Sequence, residues 1–302
     1  MATVGVVIPT KNRAETIGRA LESVFAQVTR SEVSQIVIVD DGSEDNTSSV
    51  VEGFIRNDQR VKYVKNSKSV GGAKARNQGA ELLTSDYVAF LDSDDEWKLN
   101  HLQNAIEVIE YEESGGVFGS YTISDGISYK DRIIPLLQPN MNVAEYIFSD
   151  TGDIRTSTIV MRLDSFKEVM FDSDQHKHQD WDLAIRFSKK YKLSIDQHPS
   201  VILHEDLDNR MSKSMKHQAT QYFIRKHRDI VSDIHLSKFY YSMCRDTLKL
   251  EGKNKFFYEY RHLFITYFNK VKTKNKSMLV RRISLYLPRR TFVYLSSKRS
   301  KA

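Results

Sequence analysis

Four short strand-like runs alternate with helical segments through the first part of the chain, and this alternation limits the possible folds more than any other feature. The runs are Val4 to Pro9, Ile36 to Val39, Val61 to Val64 and Tyr87 to Leu91. Between them, Ala14 to Gln27 places Ile17, Leu21, Val24 and Phe25 at helical spacing, and Asn46 to Ile55 and Gly72 to Leu83 also read as helices. Strand–helix–strand repeats of this length close by right-handed crossovers into a mostly parallel sheet, so the expected class is α/β. Such sheets bind ligands beyond the carboxyl ends of their strands. The informative residues stand there: Pro9-Thr10 after the first strand, Asp40-Asp41-Gly42-Ser43 after the second, and Asp92-Ser93-Asp94 after the fourth.

Past Trp97 the pattern loosens. A helix is expected over Leu99 to Tyr111, a strand near Val117 to Ile123, and a loop to about Pro139. Ile154 to Met161 reads as strand, Gln179 to Tyr191 as helix, and Leu193 to Leu203 as strand. From Ser212 onward the signals are helical. Phe256, Phe257, Tyr260, Phe264, Tyr267 and Phe268 trace one helix face, which reads first as packed core and second as membrane contact. Met278 to Tyr294 mixes apolar residues with Arg281, Arg282, Arg289 and Arg290, like an interfacial basic amphipath that Pro288 interrupts.

At 302 residues the chain can bury a large core. The net charge of +6 conceals an asymmetry: from Glu251 to Ala302 there are 14 Lys/Arg against two Glu, so this segment carries +12 and the rest −6. A basic tail on an acidic body points to two functional regions, the tail meeting anionic lipid, nucleic acid or another subunit. The single cysteine, Cys244, excludes an internal disulfide and fits a reducing cytosol. The opening apolar run stops at Pro9 without a cleavage pattern, so it reads as strand and not as a secretory signal. No stretch approaches the ~20 apolar residues of a membrane span, which leaves a soluble or peripheral protein.

The run Tyr87-Val88-Ala89-Phe90-Leu91 ends abruptly in Asp92-Ser93-Asp94-Asp95. Carboxylates held this close repel unless a cation sits between them, and a hard divalent ion does this best. By itself a D-x-D is read more plainly as a solvated acidic corner, with the bound ion as the sharper reading.

Five motifs stand in order: Val6-Val7-Ile8-Pro9-Thr10-Lys11-Asn12-Arg13, Val39-Asp40-Asp41-Gly42-Ser43, Gly71-Gly72-Ala73-Lys74-Ala75-Arg76-Asn77-Gln78-Gly79, Leu91-Asp92-Ser93-Asp94-Asp95 and Gln179-Asp180-Trp181-Asp182-Leu183. In order and spacing they closely resemble family-2 inverting glycosyltransferases of the GT-A fold, over roughly residues 1–210. The resemblance implies a Rossmann-like, mostly parallel central sheet flanked by helices, forming a catalytic domain over 1–211. A basic helical C-terminal region over 212–302 would serve membrane association or oligomerisation. It implies transfer of a sugar from a nucleotide-diphosphate donor, UDP-sugar foremost, with Mn²⁺ or Mg²⁺.

Residue by residue, the resemblance makes Asp94 the direct metal ligand and Asp92 a contact to ribose or metal, with Ser93 beside the donor. Asp95 is open between this site and a helix N-cap before Trp97. Asp40 matches the acid that accepts from uracil N3–H, and Pro9 and Thr10 match the base pocket. Asp41 and Ser43 read as turn and cap residues. Arg76 matches a nucleotide or diphosphate contact, its alternative being a surface arginine. Asp180 matches the catalytic base, in a Gln-Asp pair where Glu-Asp is commoner; Asp182 reads as a solvated acid at the helix start. His204 is a candidate metal ligand and Arg210 a candidate donor contact, although their spacing departs from the family's order. His176 and His178 form an H-x-H that reads as an acceptor-side loop.

The expected function is therefore sugar transfer to a hydroxyl of a glycan or lipid-linked glycan at the cytosolic face of the inner membrane, in cell-surface polysaccharide synthesis. A sugar nucleotidyltransferase would need a glycine-rich basic loop where Pro9-Thr10-Lys11-Asn12 stands. A non-catalytic sugar-nucleotide or glycan binder would not need Asp92, Asp94 and Asp180 together. No nucleic-acid partner is expected, because the tail aromatics follow helix spacing and form no stacking platform. A homodimer through the tail stays open. Donor and acceptor choice would fall to the loop from Ser124 to Pro139 and to Thr156 to Thr158.

Overall fold

The computed structural model describes residues 1–149, 152–205, 214–272, 276–287 and 291. It divides into two compact units, Met1–Gln138 with Asp153–Asp208, and Pro139–Gly152 with Asn209–Ala302.

The opening alternation of the first unit forms as expected. Strands β1 (Thr3–Thr10), β2 (Glu32–Asp40), β3 (Val61–Lys65) and β4 (Tyr87–Phe90) alternate with helices α1 (Ile17–Phe25), α2 (Thr47–Asn57) and α3 (Gly72–Glu81). The four strands pair in parallel in the order β3-β2-β1-β4. Val4, Val6, Val7 and Ile8 of β1 are wholly buried, as a strand covered on both faces requires. The register sets Thr10 beside Asp40, Asp40 beside Lys65 and Val7 beside Phe90, so the motif-bearing ends leave the sheet along one edge. Helix α3 lies close on this sheet. A Cβ at Gly79 would fall 2.4 Å from Val7 Cγ1, so only glycine permits this approach.

The second half is mixed rather than parallel. It adds β5 (Glu96–Trp97), α4 (His101–Tyr111), β6 (Gly116–Ser124) and β7 (Tyr129–Arg132). After α5 (Val143–Phe148), which belongs to the other unit, follow β8 (Val160–Arg162), α6 (Leu163–Lys167), α7 (Gln179–Phe187) and β9 (Leu193–His204). The sheet continues β4-β8-β6-β9-β5, with β7 on β6. Strand β8 is antiparallel to both β4 and β6, whereas β6 and β9 run parallel. Two expectations change here. Ile154 to Met161 is not one strand: Thr156–Thr158 form a 3-10 turn, and only Val160–Arg162 pairs. The expected loop to Pro139 contains β7, an exposed hairpin arm.

The second unit is helical, with α5, α8 (His217–His227), α9 (Asp233–Leu250), α10 (Lys255–Lys270) and α11 (Lys276–Ser284). Its core is aromatic, as the stripe predicted: Phe257, Tyr260, Phe264 and Phe268 are buried, and Phe148 stacks on Phe223 at 5.4 Å. Buried Cys244 packs with its sulfur 3.8 Å from the Phe257 carbonyl, and burial pushes its thiol far up, so it is an inert core residue. No helix among the described residues is long and apolar enough to cross a membrane.

Candidate active site

The acidic corner forms where the chain leaves β4. Asp92, Asp94 and Asp95 each present a carboxylate oxygen, and these atoms lie within 4.8 Å of one another. Among the described residues, no other group of three or more His, Cys, Asp or Glu is so placed. The three differ in their partners. Asp95 is buried; its Oδ2 accepts from Ser157 Oγ at 2.6 Å and its Oδ1 from the His204 amide at 3.4 Å. Ser157 Oγ in turn accepts from the Asp92 amide at 3.1 Å, and the Ser157 carbonyl accepts from Trp97 Nε1 at 2.8 Å. Asp95 thus clamps the corner to the 3-10 turn and to the end of β9. It caps no helix, because Glu96–Trp97 is a strand.

Asp92 and Asp94 face cations instead. Arg76 Nη2 donates to Asp92 Oδ1 at 2.5 Å, and Arg13 Nη2 stands 3.6 Å from Asp94 Oδ2. The all-oxygen donor set and the need for positive charge between the carboxylates fit a hard divalent cation held by Asp92 and Asp94. His204 is placed otherwise than expected: its Nε2 lies 3.1 Å from Glu96 Oε1, and it is not in the acidic trio. Arg210 lies outside the described residues.

Helix α3 starts at Gly72 after Gly71, whose φ of 90° is a conformation that favours glycine. A Cβ on Gly72 would sit 3.1 Å from Arg76 Nη1 and 3.5 Å from Gln179 Oε1. That space matters because Arg76 is no surface arginine. It is 4% exposed, lies over the Phe171 ring, and donates from Nη1 to Gln179 Oε1 at 2.8 Å while Nη2 holds Asp92. One guanidinium therefore joins the acidic corner to the start of α7. The adjoining loop is braced by Asp41, which accepts from Ser69 Oγ, Val70 N and Gly71 N at 2.6, 2.6 and 2.9 Å. Burial works to raise the Asp41 carboxyl, but these bonds and Asn66 prevail and hold it below its usual range. Ser43 caps no helix; its Oγ accepts from the Asn12 amide at 2.8 Å.

At the β1–β2 edge Asp40 is fully buried. Its Oδ1 accepts from the Ser43 amide at 2.7 Å and its Oδ2 from the Tyr63 hydroxyl, with Lys65 Nζ 4.0 Å away. Burial, with the Asp40 bond and charge, pushes the Tyr63 phenol well up. Beside Asp40, the Thr10 hydroxyl is buried without a hydrogen-bond partner, the kind of orphaned atom that a bound ligand satisfies. Pro9 is half-buried and Ser93 buried.

Asp180 stands in the first turn of α7, with its Oδ1 accepting from the Trp181 amide at 2.9 Å. It keeps a solvent-facing edge, yet the protein around it removes most of its hydration. Burial therefore raises its carboxyl to about 6, helped by Asp153 and opposed by Arg155, the Trp181 amide and Arg76. Arg155 is itself fixed: its Nε and Nη2 lie 3.0 and 2.9 Å from Asp153 Oδ2, which also accepts from Tyr121 OH at 2.5 Å. Between these residues, the Ile154 carbonyl accepts from Trp181 Nε1 at 3.2 Å, fastening the segment to the start of α7. Nothing in the sequence singled out Tyr121, Asp153 or Arg155, which lie 59, 27 and 25 residues before Asp180.

His178 precedes α7 at a left-handed φ of 61° and stacks on Trp181 at 4.6 Å; burial lowers its imidazole to about 3, so it is neutral. His176 is exposed. Asp182 corrects the expectation of a solvated acid. It is fully buried and receives Arg186 Nε at 2.7 Å, and Arg186 also donates to the Val169 and Met170 carbonyls at 2.7 Å each. Its role is to hold α7 in place, as its direction along the helix implies.

A profile described as "Glycosyl transferase family 2" matches residues 5–170, more than half of the chain. The chain belongs to this family. Amylovoran biosynthesis glycosyltransferase AmsB of Erwinia amylovora is 35% identical over 192 residues, covering 61% of this chain and 63% of that protein. The Escherichia coli enzyme WfaP, named a UDP-Glc:alpha-D-GlcNAc-diphosphoundecaprenol beta-1,3-glucosyltransferase, is 34% identical over 57% of this chain and 65% of its own length. The chain spans about six tenths of the length of the first curated relatives it matches. Among solved structures, S. aureus TarS 1-349 in complex with UDP-GlcNAc superposes with a TM-score of 0.58 at 17% identity, over 94% of this chain and 79% of that one. The fold is the GT-A arrangement expected from the sequence, with a helical C-terminal region.

Proposed function

We propose that the protein transfers a sugar from a UDP-sugar to a hydroxyl of a lipid-linked glycan, with inversion at the anomeric carbon and dependence on a divalent cation. The observation that carries this reading is Arg76, which holds Asp92 with one nitrogen and Gln179, the neighbour of Asp180, with the other. It sets a diphosphate-binding corner and a proton acceptor on either side of one guanidinium. WfaP's name, with a UDP-Glc donor and a diphosphoundecaprenol-linked acceptor, supports both donor and acceptor class, and the TarS complex with UDP-GlcNAc and the biosynthetic name of AmsB agree with it.

Asp92 and Asp94 would hold Mn²⁺ or Mg²⁺, which when bound supplies Lewis-acid neutralisation of the departing diphosphate. Arg76 and Arg13, paired with these carboxylates, would be the cationic side chains nearest the diphosphate and would add to its charge neutralisation. Pro9, Thr10 and Asp40 would line the base pocket; because Asp40 is covered by Tyr63, uracil N3–H reaches it by exchange with that hydroxyl. In the transfer, the acceptor oxygen forms its bond to the anomeric carbon on the face opposite the diphosphate, whose C–O bond breaks as UDP leaves. Asp180 takes the hydroxyl proton, and a base poised at about 6 is charged at neutral pH yet basic enough to accept it. No covalent intermediate is needed, so one carboxylate suffices. Residues 1–211 would form this catalytic part, working at the cytosolic face of the inner membrane.

The nucleotidyltransferase reading loses further ground to the β1 exit. Instead of a mobile glycine-rich loop, Asn12 sits there at a φ of 52° and its Oδ1 accepts from the Glu44 amide at 2.9 Å. The test is UDP release from a panel of UDP-sugars with a polyprenyl-diphosphate-linked sugar as acceptor. EDTA should abolish release, Mn²⁺ or Mg²⁺ should restore it, and Asp94→Asn should lower kcat by at least about a hundredfold. Undiminished release in EDTA would overturn the metal reading, and no release with any donor would overturn the transferase reading.

A further inference from the structure

Helix α11 is apolar on two sides. Inward, Met278 and, just past the helix end, Leu285 are buried in the helical unit at 3% and 1% exposure. Outward, Leu279 and Ile283, four apart on the helix, are 46 and 66% exposed, and Tyr286, in the turn that follows the helix, is 60% exposed. Three large apolar side chains facing water in a row are not what a solvated surface helix carries. Tyr258 of α10, also exposed, extends the patch: the Arg261 guanidinium lies between its ring and that of Tyr286, 5.4 and 5.2 Å from the two centroids. Exposed Arg282 stands over the Phe268 ring at 5.2 Å.

Charge on the same helices bears on what could cover this face. In the described part of this segment, residues 251–272 and 276–287, eight Lys/Arg stand against two Glu, a net +6, and both acids are already engaged: Glu251 with His217 at 2.9 Å and Glu259 with Gln221 at 2.7 Å. A second copy of the chain would bring a like-charged segment against this one, whereas an anionic bilayer neutralises it. Leu and Ile enter the acyl boundary, Tyr rests at headgroup depth, and arginines keep their heads among the phosphates. We propose that the exposed side of α11 and of the turn after it, formed by Leu279, Ile283 and Tyr286 and flanked by Arg261 of α10 and Arg282, lies in the surface of an anionic lipid bilayer. This contact concerns the C-terminal unit alone and adds to the transferase reading without resting on it.

Sedimentation of the full-length protein with vesicles of phosphatidylglycerol and phosphatidylcholine in equal parts tests the proposal. The wild type should pellet with these vesicles, stay in solution with pure phosphatidylcholine, and be released by high salt. A Leu279→Ser/Ile283→Ser/Tyr286→Ser variant should bind at least about tenfold more weakly, with unchanged thermal unfolding and UDP release. If that triple variant misfolds, the single Ile283→Asp substitution, at a position 66% exposed, provides the same reading. Wild-type protein that stays in solution with anionic vesicles, or a folded variant that pellets as well as wild type, overturns it. So does a wild-type dimer that the triple variant converts to monomer without vesicle binding. An Asp180→Asn protein should bind vesicles normally, so failure of the catalytic reading is separable from failure of this one.

Discussion

Replacing Asp180 by Asn should make the protein inactive and more stable at once. In the folded chain Asp180 titrates at about 6, against an ordinary value of 3.8. Between those two values the folded state binds more protons than the unfolded state, so stability falls as pH rises through this window and is flat above it. The difference of about two pH units corresponds to about 3 kcal/mol at about 1.4 kcal/mol per unit. The solvent-facing edge of Asp180 screens part of this, leaving about 1–2 kcal/mol. Asn carries no charge and fills the same volume, so Asp180→Asn should be stabilised by that amount at neutral pH, or about 2–4 °C in Tm per kcal/mol. Its UDP release should fall by about 10²–10⁴. Thermal unfolding at several pH values, paired with UDP release, checks both effects. Wild-type Tm should drop between about pH 4 and about pH 6 while the variant lacks that component. A variant less stable than wild type at neutral pH, or one that turns over normally, refutes the reasoning.

The wild-type rate should decline below about pH 6 as Asp180 takes up a proton, and Arg155→Gln should move this acid limb upward, because it removes a neighbouring positive charge and leaves Asp153 unneutralised. A pH–rate profile checks both; an unmoved limb would exclude Arg155 from tuning the base. Asp182→Asn should destabilise the fold by about 3 kcal/mol, since it strands Arg186 in a largely buried pair. Denaturant unfolding measures that loss, while kcat/KM of the folded enzyme should stay near wild type.

Much of the parallel half was legible because its information is local. The strand runs, helical spacings and acids at strand ends are patterns of near neighbours, and the parallel order β3-β2-β1-β4 follows from crossovers that have one favoured hand. The mixed half was read less well. Strand β8 has three residues and pairs antiparallel between β4 and β6, so its place depends on partners over 40 residues away and not on its own periodicity. The turn Thr156–Thr158 looked like strand because Ile154 to Met161 is β-branched, but Ser157 is taken up by contacts to Asp92, Asp95 and Trp97. Tertiary bonding overrode propensity there.

At the site, the residue types were readable and their roles were not. Asp92, Asp94, Asp95, Asp180 and Asp182 are the same side chain in similar settings along the chain. The sequence alone established that carboxylates gather at the exit of β4 and at the start of α7, on an α/β sheet of the class that binds ligands beyond its strand ends. Tertiary structure decided which of them faces an arginine, which is sealed under Ser157, which pairs with Arg186, and which is dry enough to titrate near neutrality. The reason is that charge state and partner depend on distance and dielectric, set by groups such as Arg76, Gln179, Tyr121 and Arg155 that reach the site from far along the chain.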